Sequence, residues 1–365
     1  MIAKINKIEV WMNQRIVGHM GLTPDALCAF EYHSDWLCNG FSISPFELPL
    51  TPGVKIAKRR PFDGGFGVFD DCLPDGWGRL ILYRYLSTLD VKAHELDYLQ
   101  LLCIVGSNGR GALQFRPDRT ITSTTEYSTF TRLAAEAEAI LGSDTYTGKY
   151  LQEMIERGGS PGGARPKIFI HDETGEWLVK FRAKYDPQDI GHTELQYAHL
   201  AIQCGIEMMP CKLFEGQYFG TMRYDRQHGN RQHVISAAGL LGADYREPSI
   251  DYRHIFQLVA TLTHSMAELW RAYRLMCFNV LIGNKDDHAK NFAFIYEDGW
   301  HLSPAYDLLP SNGFNGYHTT SVNDNITPQK EDLLALAKAF GLDSKKAEIE
   351  YEQIRNIVRG RAATV

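Results

Sequence analysis

Over the first sixty residues apolar side chains recur at every second position. Ile8, Val10 and Met12 alternate with polar neighbours, and Ala29-Phe30-Glu31-Tyr32 and Phe41-Ser42-Ile43-Ser44 repeat the pattern between turn residues. Period two is the signature of half-buried strands, so a small β-rich unit is expected here. The pattern breaks at Pro61, where Phe62-Asp63-Gly64-Gly65-Phe66-Gly67 leads to Leu73-Pro74-Asp75-Gly76-Trp77-Gly78-Arg79. No strand runs clearly into this stretch and no Gly-Lys-Ser/Thr follows, so it reads as a structural turn feeding a helix over Arg79–Leu89. A second apolar helical run, Leu96–Val105, ends in the glycine-rich turn Gly106–Gly111, read either as a plain connection or as a partner contact. Ser123–Ser128 is linker-like, and Phe130–Leu141 is an Ala- and Glu-rich helix.

The middle third predicts a hairpin with a glycine-rich, basic entrance. Gly158-Gly159-Ser160-Pro161-Gly162-Gly163-Ala164-Arg165-Pro166-Lys167 precedes Ile168–His171, and Glu176–Phe181 follows the turn Asp172–Gly175. Such an entrance can bring the backbone N–H groups of Gly162, Gly163 and Ala164 close to phosphates while strand Lys180 supplies charge; an exposed loop and a solvated lysine explain the same residues. Thr193-Glu194-Leu195-Gln196 fits a capping box and predicts a helix from Thr193. Glu194 can pair with Lys180 or simply complement the helix dipole. Lys212 to Arg226 reads as two strands and a crossover, where backbone near Met222 and Tyr224 could bind an adenine. The last third is helical: Ile255, Phe256, Val259 and Leu262 share one face, and Leu269, Tyr273, Met276 and Val280 another after a Ser265 cap.

Composition narrows the classes. A chain of 365 residues, 44% hydrophobic and 22% charged, is an ordinary globular protein with room for two or three subdomains. Its net charge of -6 argues against coating nucleic acid unaided. The seven scattered cysteines form no C-x-x-C pair and read as packed thiols. With no signal-like apolar N-terminus and no run of membrane-spanning length, a cytoplasmic location without membrane contact is the expectation.

The chemistry concentrates in Asn284-Lys285-Asp286-Asp287-His288-Ala289-Lys290-Asn291 and, after a hairpin through Asp298-Gly299, in Ser303-Pro304-Ala305-Tyr306-Asp307. An Asp, an Asn five positions on and a returning Asp are the residue types of a phosphoryl-transfer site: a base, an amide oxygen and a carboxylate for metal. Lys290 is read either as a stabiliser of the transferred group or as a solvated lysine. His288 with the two acids could suggest a hydrolytic metal site, although a structural hydrogen bond explains one histidine equally.

Taken with Arg223-Tyr224-Asp225-Arg226, the Gly158–Lys167 loop and Leu73–Gly78, these motifs resemble the HipA family of bacterial serine/threonine kinases, the toxins of HipBA-type toxin-antitoxin systems. The resemblance spans essentially the whole chain. It implies an α+β bilobal protein-kinase-like fold: a β-rich N-terminal subdomain (1–120), a small lobe (121–225) and a mainly helical catalytic lobe (226–365). It further implies ATP and Mg2+ as cofactors, Asp286 as the base, Asn291 and Asp307 as metal ligands, Lys180 as the ATP lysine, and Ser160 as an inactivating autophosphorylation site. Pro161 and Arg165-Pro166 depart from the family pattern. The implied partners are a protein substrate, for instance of the translation machinery, and a HipB-like DNA-binding antitoxin, with no direct nucleic-acid binding. A small-molecule kinase, or a weak kinase acting mainly as the antitoxin's partner, are the alternatives.

Overall fold

The computed structural model describes residues 4–123, 128–143, 148, 150–158, 162–227, 229–313 and 315–362. The chain divides into two compact units, Met1–His192 with Cys211–Ile235, and Thr193–Pro210 with Ser236–Val365.

The first unit carries two antiparallel sheets. In the first, β1 (Lys7–Met12), β2 (Arg15–Leu22), β3 (Cys28–Tyr32), β4 (Lys55–Ile56) and β5 (Leu113–Arg116) stand in the order β4-β3-β2-β1-β5. The alternation read from sequence is the pleat itself: Ile8, Val10 and Met12 are buried on one face. Phe41–Ser44 is not a strand beyond an isolated Ser44–Leu48 bridge. The Ile43 N–H donates to Tyr32 Oη at 3.1 Å and its carbonyl meets His233 Nε2 at 2.8 Å, so side chains take the bonds that a ladder would have used. The helices expected after it form over Gly76–Thr88, Tyr98–Val105 and Phe130–Gly142.

The second sheet contains β6 (Lys167–Asp172), β7 (Gly175–Lys180), β8 (Cys211–Phe214) and β9 (Tyr218–Met222) in the order β6-β7-β9-β8. Its core side holds Ile168, Trp177, Val179 and Phe181 against Trp77, Ile81, Leu133, Ile140 and Met154. The helix expected from Thr193 begins earlier, at Ile190, and runs to Gln203. Thr193 and Glu194 therefore lie inside it, which overturns the capping-box reading.

In the second unit the helices Tyr252–Thr263 and Met266–Ile282 pack through Ile255, Phe256, Val259, Leu269, Tyr273 and Met276, all buried. Ser265 caps the second helix by accepting from the Glu268 N–H at 3.3 Å, as its sequence predicts. Gly283, at φ 70°, ends it in the left-handed region. The hairpin Ala293–Tyr296 and Trp300–Leu302 pairs Phe294 with Leu302 and Tyr296 with Trp300, turning at Asp298-Gly299. The helices Lys330–Ala339 and Ser344–Ala362 complete the unit. All seven cysteines are free, and among the described residues no helix is long and apolar enough to cross a membrane.

Candidate active site

The acid turn begins where the buried helix Met266–Ile282 ends, and it is fixed from several sides. The Asp286 N–H donates to Ser311 Oγ at 2.8 Å, and the Asn291 side-chain amide donates to the Asp286 carbonyl at 2.7 Å. The Ser311 N–H in turn reaches the Gly283 carbonyl at 3.1 Å. Asp286 is exposed, unlike its neighbour Asp287.

Asp287 has the opposite role. It is fully buried, and its carboxylate accepts from Tyr252 Oη and from the Thr319 and Thr320 N–H groups, each at 3.1 Å, with His318 Nδ1 at the same distance. A buried carboxylate is tolerable when so many donors surround it, and four partners from two other segments leave the turn little freedom. Burial, with Asp287 adding to it, pushes the Tyr252 phenol well above its ordinary pKa, so it remains a donor to the carboxylate. The chain of bonds continues: Asn279 Nδ2 donates to Tyr252 Oη at 3.0 Å, and Asn284 Nδ2 to Asn279 Oδ1 at 3.0 Å and to the Asp307 carbonyl at 3.1 Å. Asp286, Asn291 and Asp307 are thus carried on segments joined by one continuous hydrogen-bond network. Asp307 is held at φ 55°, unusual for a residue with a side chain, and the Asn284 bond to its carbonyl is part of what holds it there.

The Asp307 carboxylate and the Asn291 amide oxygen are hard oxygen donors, which suits Mg2+ and not a soft metal. Because Asn291 commits its nitrogen to the Asp286 carbonyl, Oδ1 is the amide atom left for a cation, and the donor set fits. Among the described residues no group of three or more His, Cys, Asp or Glu forms a metal cluster, so His288 with two acids is not a hydrolase-type centre. His288 instead caps the short turn Ala289–Asn291, its Nδ1 accepting from the Lys290 N–H at 3.2 Å. Lys290 is not solvated: it is buried, with Nζ 4.0 Å from the Tyr245 ring centroid, and its carbonyl accepts from Tyr306 Oη at 2.6 Å.

In the first unit the nucleotide candidates divide. Lys180 is buried on β7 with Nζ 5.6 Å from the Phe219 ring centroid, and its cross-strand partner is Lys167, also buried. Directly opposed residues share a sheet face, so two ammonium stems are concentrated on one side. Gly162, Gly163 and Ala164 precede β6, and Gly163 donates its N–H to Asp75 Oδ1 at 2.7 Å. Ser160 lies outside the described residues, as do Gly159 and Pro161. Glu194 is buried in its helix and belongs to the second unit, whereas Lys180 belongs to the first.

Met222 ends β9 opposite Trp177, and the Tyr224 carbonyl accepts from Gln227 Nε2 at 3.2 Å. Between them is a buried charge cluster to which sequence reading gave no role. Asp225 accepts from Arg223 Nε at 2.9 Å and Nη2 at 2.7 Å, from Arg226 Nη1 at 2.9 Å and from the Gly111 N–H at 2.8 Å. These partners hold its carboxyl well below the usual range in spite of burial, while burial lowers the Arg226 guanidinium to about 9. Arg226 also donates to the Gly111 and Gly109 carbonyls at 2.8 and 3.0 Å, and Arg231 to that of Ser107. The glycine turn 106–111 joins the helix Tyr98–Val105 to β5, as read, and the crossover is also bolted to it. The residues missed at the acid turn are Tyr252, Asn279, Ser311, His318, Thr319 and Thr320. All of them lie outside the stretches Asn284–Asn291 and Ser303–Asp307.

Known proteins resemble the chain over most of its length. Residues 159–361 match the family of HipA-like C-terminal domains and residues 8–116 that of HipA N-terminal domains. The chain belongs to the HipA family. A Sinorhizobium fredii protein named "Putative kinase Y4dM" is 29% identical over 321 residues, covering 80% of this chain and 75% of that one. The "Serine/threonine-protein kinase toxin HipA" of Shewanella oneidensis is 22% identical over 388 residues, covering 93% and 84%. The solved complex of the Shewanella oneidensis toxin-antitoxin system, HipA with HipB and operator DNA, contains a chain that superposes with a TM-score of 0.71. That match covers 98% of this chain and 90% of the other at 19% identity, and it establishes the α+β HipA-type fold.

Proposed function

We propose that the chain is a HipA-type protein kinase that transfers the γ-phosphoryl of ATP to a serine or threonine hydroxyl. The observation that carries this is the acid turn: an exposed Asp286 and the oxygen ligands Asn291 and Asp307 stand on segments locked together by Asn284 and Ser311. In the step itself Asp286 takes the acceptor hydroxyl's proton as the new O–P bond forms, the bond from the γ-phosphorus to the bridging oxygen breaks, and ADP leaves. Asn291 Oδ1 and the Asp307 carboxylate would hold Mg2+, whose charge offsets that of the phosphates. Lys167 and Lys180, opposed on β6 and β7, supply positive charge for the triphosphate, and backbone following β9 at Met222 and Tyr224 offers the adenine its hydrogen bonds. Lys290, packed on Tyr245, orders the turn more than it contacts phosphate.

The family membership supports a toxin role with a HipB-like DNA-binding antitoxin as partner, and Ser160 as the autophosphorylated residue. Both readings are tested in one experiment. The purified chain is incubated with γ-labelled ATP, Mg2+ and a bacterial lysate, and label is followed into protein and into small molecules. Transfer to protein, with phosphate on Ser160 by mass spectrometry, is expected. In Asp286→Asn the rate should fall by about 10²–10⁴-fold, the range for loss of a general base, with thermal stability unchanged because the side chain is exposed. Normal transfer by a folded Asp286→Asn variant would refute the assignment, and label confined to small molecules would replace the protein acceptor by a metabolite.

A further inference from the structure

The stretch Leu73–Gly78 reads in sequence as a turn feeding a helix, and it is one, but its acid is not used as such an acid normally is. Asp75 stands at the N-cap of the helix Gly76–Thr88, where an aspartate ordinarily accepts from the N–H groups of its own first turn; no such bond forms. The carboxylate accepts instead from the Gly163 N–H at 2.7 Å, a residue 88 positions away. The Gly163 carbonyl is held from the same place, by the Trp77 N–H at 3.1 Å. Both backbone polar groups of one loop glycine are thus bonded to Asp75 and Trp77, the residues on either side of Gly76 at a helix start. The loop's neighbouring carbonyl, that of Gly162, accepts from Lys167 Nζ.

The fit is close. A Cβ on Gly76 would lie 2.5 Å from the Gly163 carbonyl oxygen, and Gly76 itself is at φ 36°, so glycine is required for the loop to approach. Gly163, at φ 100°, likewise takes a conformation that side chains avoid. Asp75 is buried, which strengthens its charge-assisted bond to the loop.

We infer that Asp75 is a latch: its carboxylate holds the Gly163 N–H in the place of a phosphate oxygen, so nucleotide and latch compete for the glycine-rich loop. A carboxylate and a phosphate cannot share one N–H at full strength, and two anions brought together there repel. The nucleotide half of this inference rests on the kinase reading; the contact itself does not. The apparent affinity of a ligand falls by the fraction of molecules whose loop is free to bind it. Loss of the latch should therefore raise affinity where loss of a positioning residue would lower it.

The experiment uses the full chain in four forms: wild type, Asp75→Asn, Asp75→Ala and Gly76→Ala. Asn retains an oxygen acceptor of the same shape without the charge, so it guards against a simple folding defect, with thermal denaturation as the check. Gly76→Ala leaves the carboxylate in place and pushes the loop away sterically. Amide hydrogen exchange of the peptide spanning 162–167 is read first, without nucleotide. Exchange should be fastest in Asp75→Ala and Gly76→Ala, and intermediate in Asp75→Asn. Binding of a fluorescent ATP analogue with Mg2+ is read second. About tenfold tighter binding is expected for Asp75→Ala, less for Asp75→Asn, with the turnover number little altered. Unchanged exchange in Asp75→Ala, or weaker binding of the analogue, overturns the latch. If the wild type binds no analogue, the kinase reading fails, and the exchange result alone decides whether the latch exists.

Discussion

The acid turn and the glycine-rich loop are assembled in different ways. Around Asp286 and Asp287 the side-chain bonds join residues at most 35 positions apart: Asn291 to Asp286, Asn284 to Asn279, Tyr252 to Asp287. In the first unit the decisive bonds span 88 residues for Gly163 to Asp75, 114 for Gly111 to Asp225, and 190 for His233 to Ile43. The acid turn can be recognised as a motif because its candidate functional residues lie within one short stretch of sequence, even though most of its supports do not. A loop held from afar shows only its glycines, and its supports look like unrelated punctuation elsewhere in the chain. The difference also separates function from rigidity: the turn keeps a fixed geometry, while the loop is positioned by contacts that a ligand can replace.

The comparison would break first at Asp225. If the long-range contacts organise the first unit, then Asp225→Ala leaves a buried Arg223 and a largely buried Arg226 without the carboxylate they share. Removing one partner of a buried ionic cluster costs about 3–5 kcal/mol, because the remaining charges keep their desolvation penalty. Urea denaturation should show a loss of that order, accompanied by weaker nucleotide binding through the adjacent Tyr224 segment. A loss under about 1 kcal/mol, the value typical of a solvent-exposed pair, would mean that the cluster is incidental.

How much was legible follows from the same distinction. The strands β1 and β3, the helix starting after Ser265 and the Asp298-Gly299 hairpin are readable because alternation, a cap and a turn residue are local signals. Asp286, Asn291 and Asp307 can be proposed as a set for the same reason. Asp75 was seen as part of a turn, and Arg223-Tyr224-Asp225-Arg226 as a motif, but no local rule names Gly163 or Gly111 as their partners. Phe41–Ser44 misled in the opposite direction. Its alternation is that of a strand, yet Tyr32 and His233 take the Ile43 backbone groups. Thr193-Glu194-Leu195-Gln196 has the form of a capping box while sitting one turn inside the helix that starts at Ile190.

His233 offers a subtler test of the long-range side. Its Nε2 faces the Ile43 carbonyl, so that nitrogen carries the hydrogen, and burial lowers the imidazole pKa from 6.5 to about 4. The folded state thus resists a proton that the unfolded chain accepts at pH 6.5. Above that pH neither state is charged and the stability is fully present. As pH falls from 6.5 to 4 the unfolded state binds the extra proton and stability is lost, by on the order of 3 kcal/mol in all. His233→Gln can still donate to the carbonyl and does not titrate, so its denaturation free energy should be flatter than that of the wild type between pH 6.5 and 4. Parallel curves would show that His233 is not held neutral in the folded state.

The smallest effect is expected on the local side, at Ser311. Its hydroxyl accepts from the Asp286 N–H at 2.8 Å, and Ser311→Ala removes that bond alone. The backbone tie from the Ser311 N–H to the Gly283 carbonyl remains, as does the Asn291 bond to the Asp286 carbonyl. Asp286 is exposed, so water can satisfy the freed N–H, and the stability change should be no more than about 1 kcal/mol. Catalysis is more demanding than stability, because the base must be held within a fraction of an ångström of the attacking hydroxyl. The turnover number should therefore fall severalfold while the KM for ATP is unchanged, a split that global destabilisation would not produce. A stability loss approaching that of Asp225→Ala would mean that the turn hangs on one contact, and the contrast between a redundantly held turn and a remotely held loop would collapse.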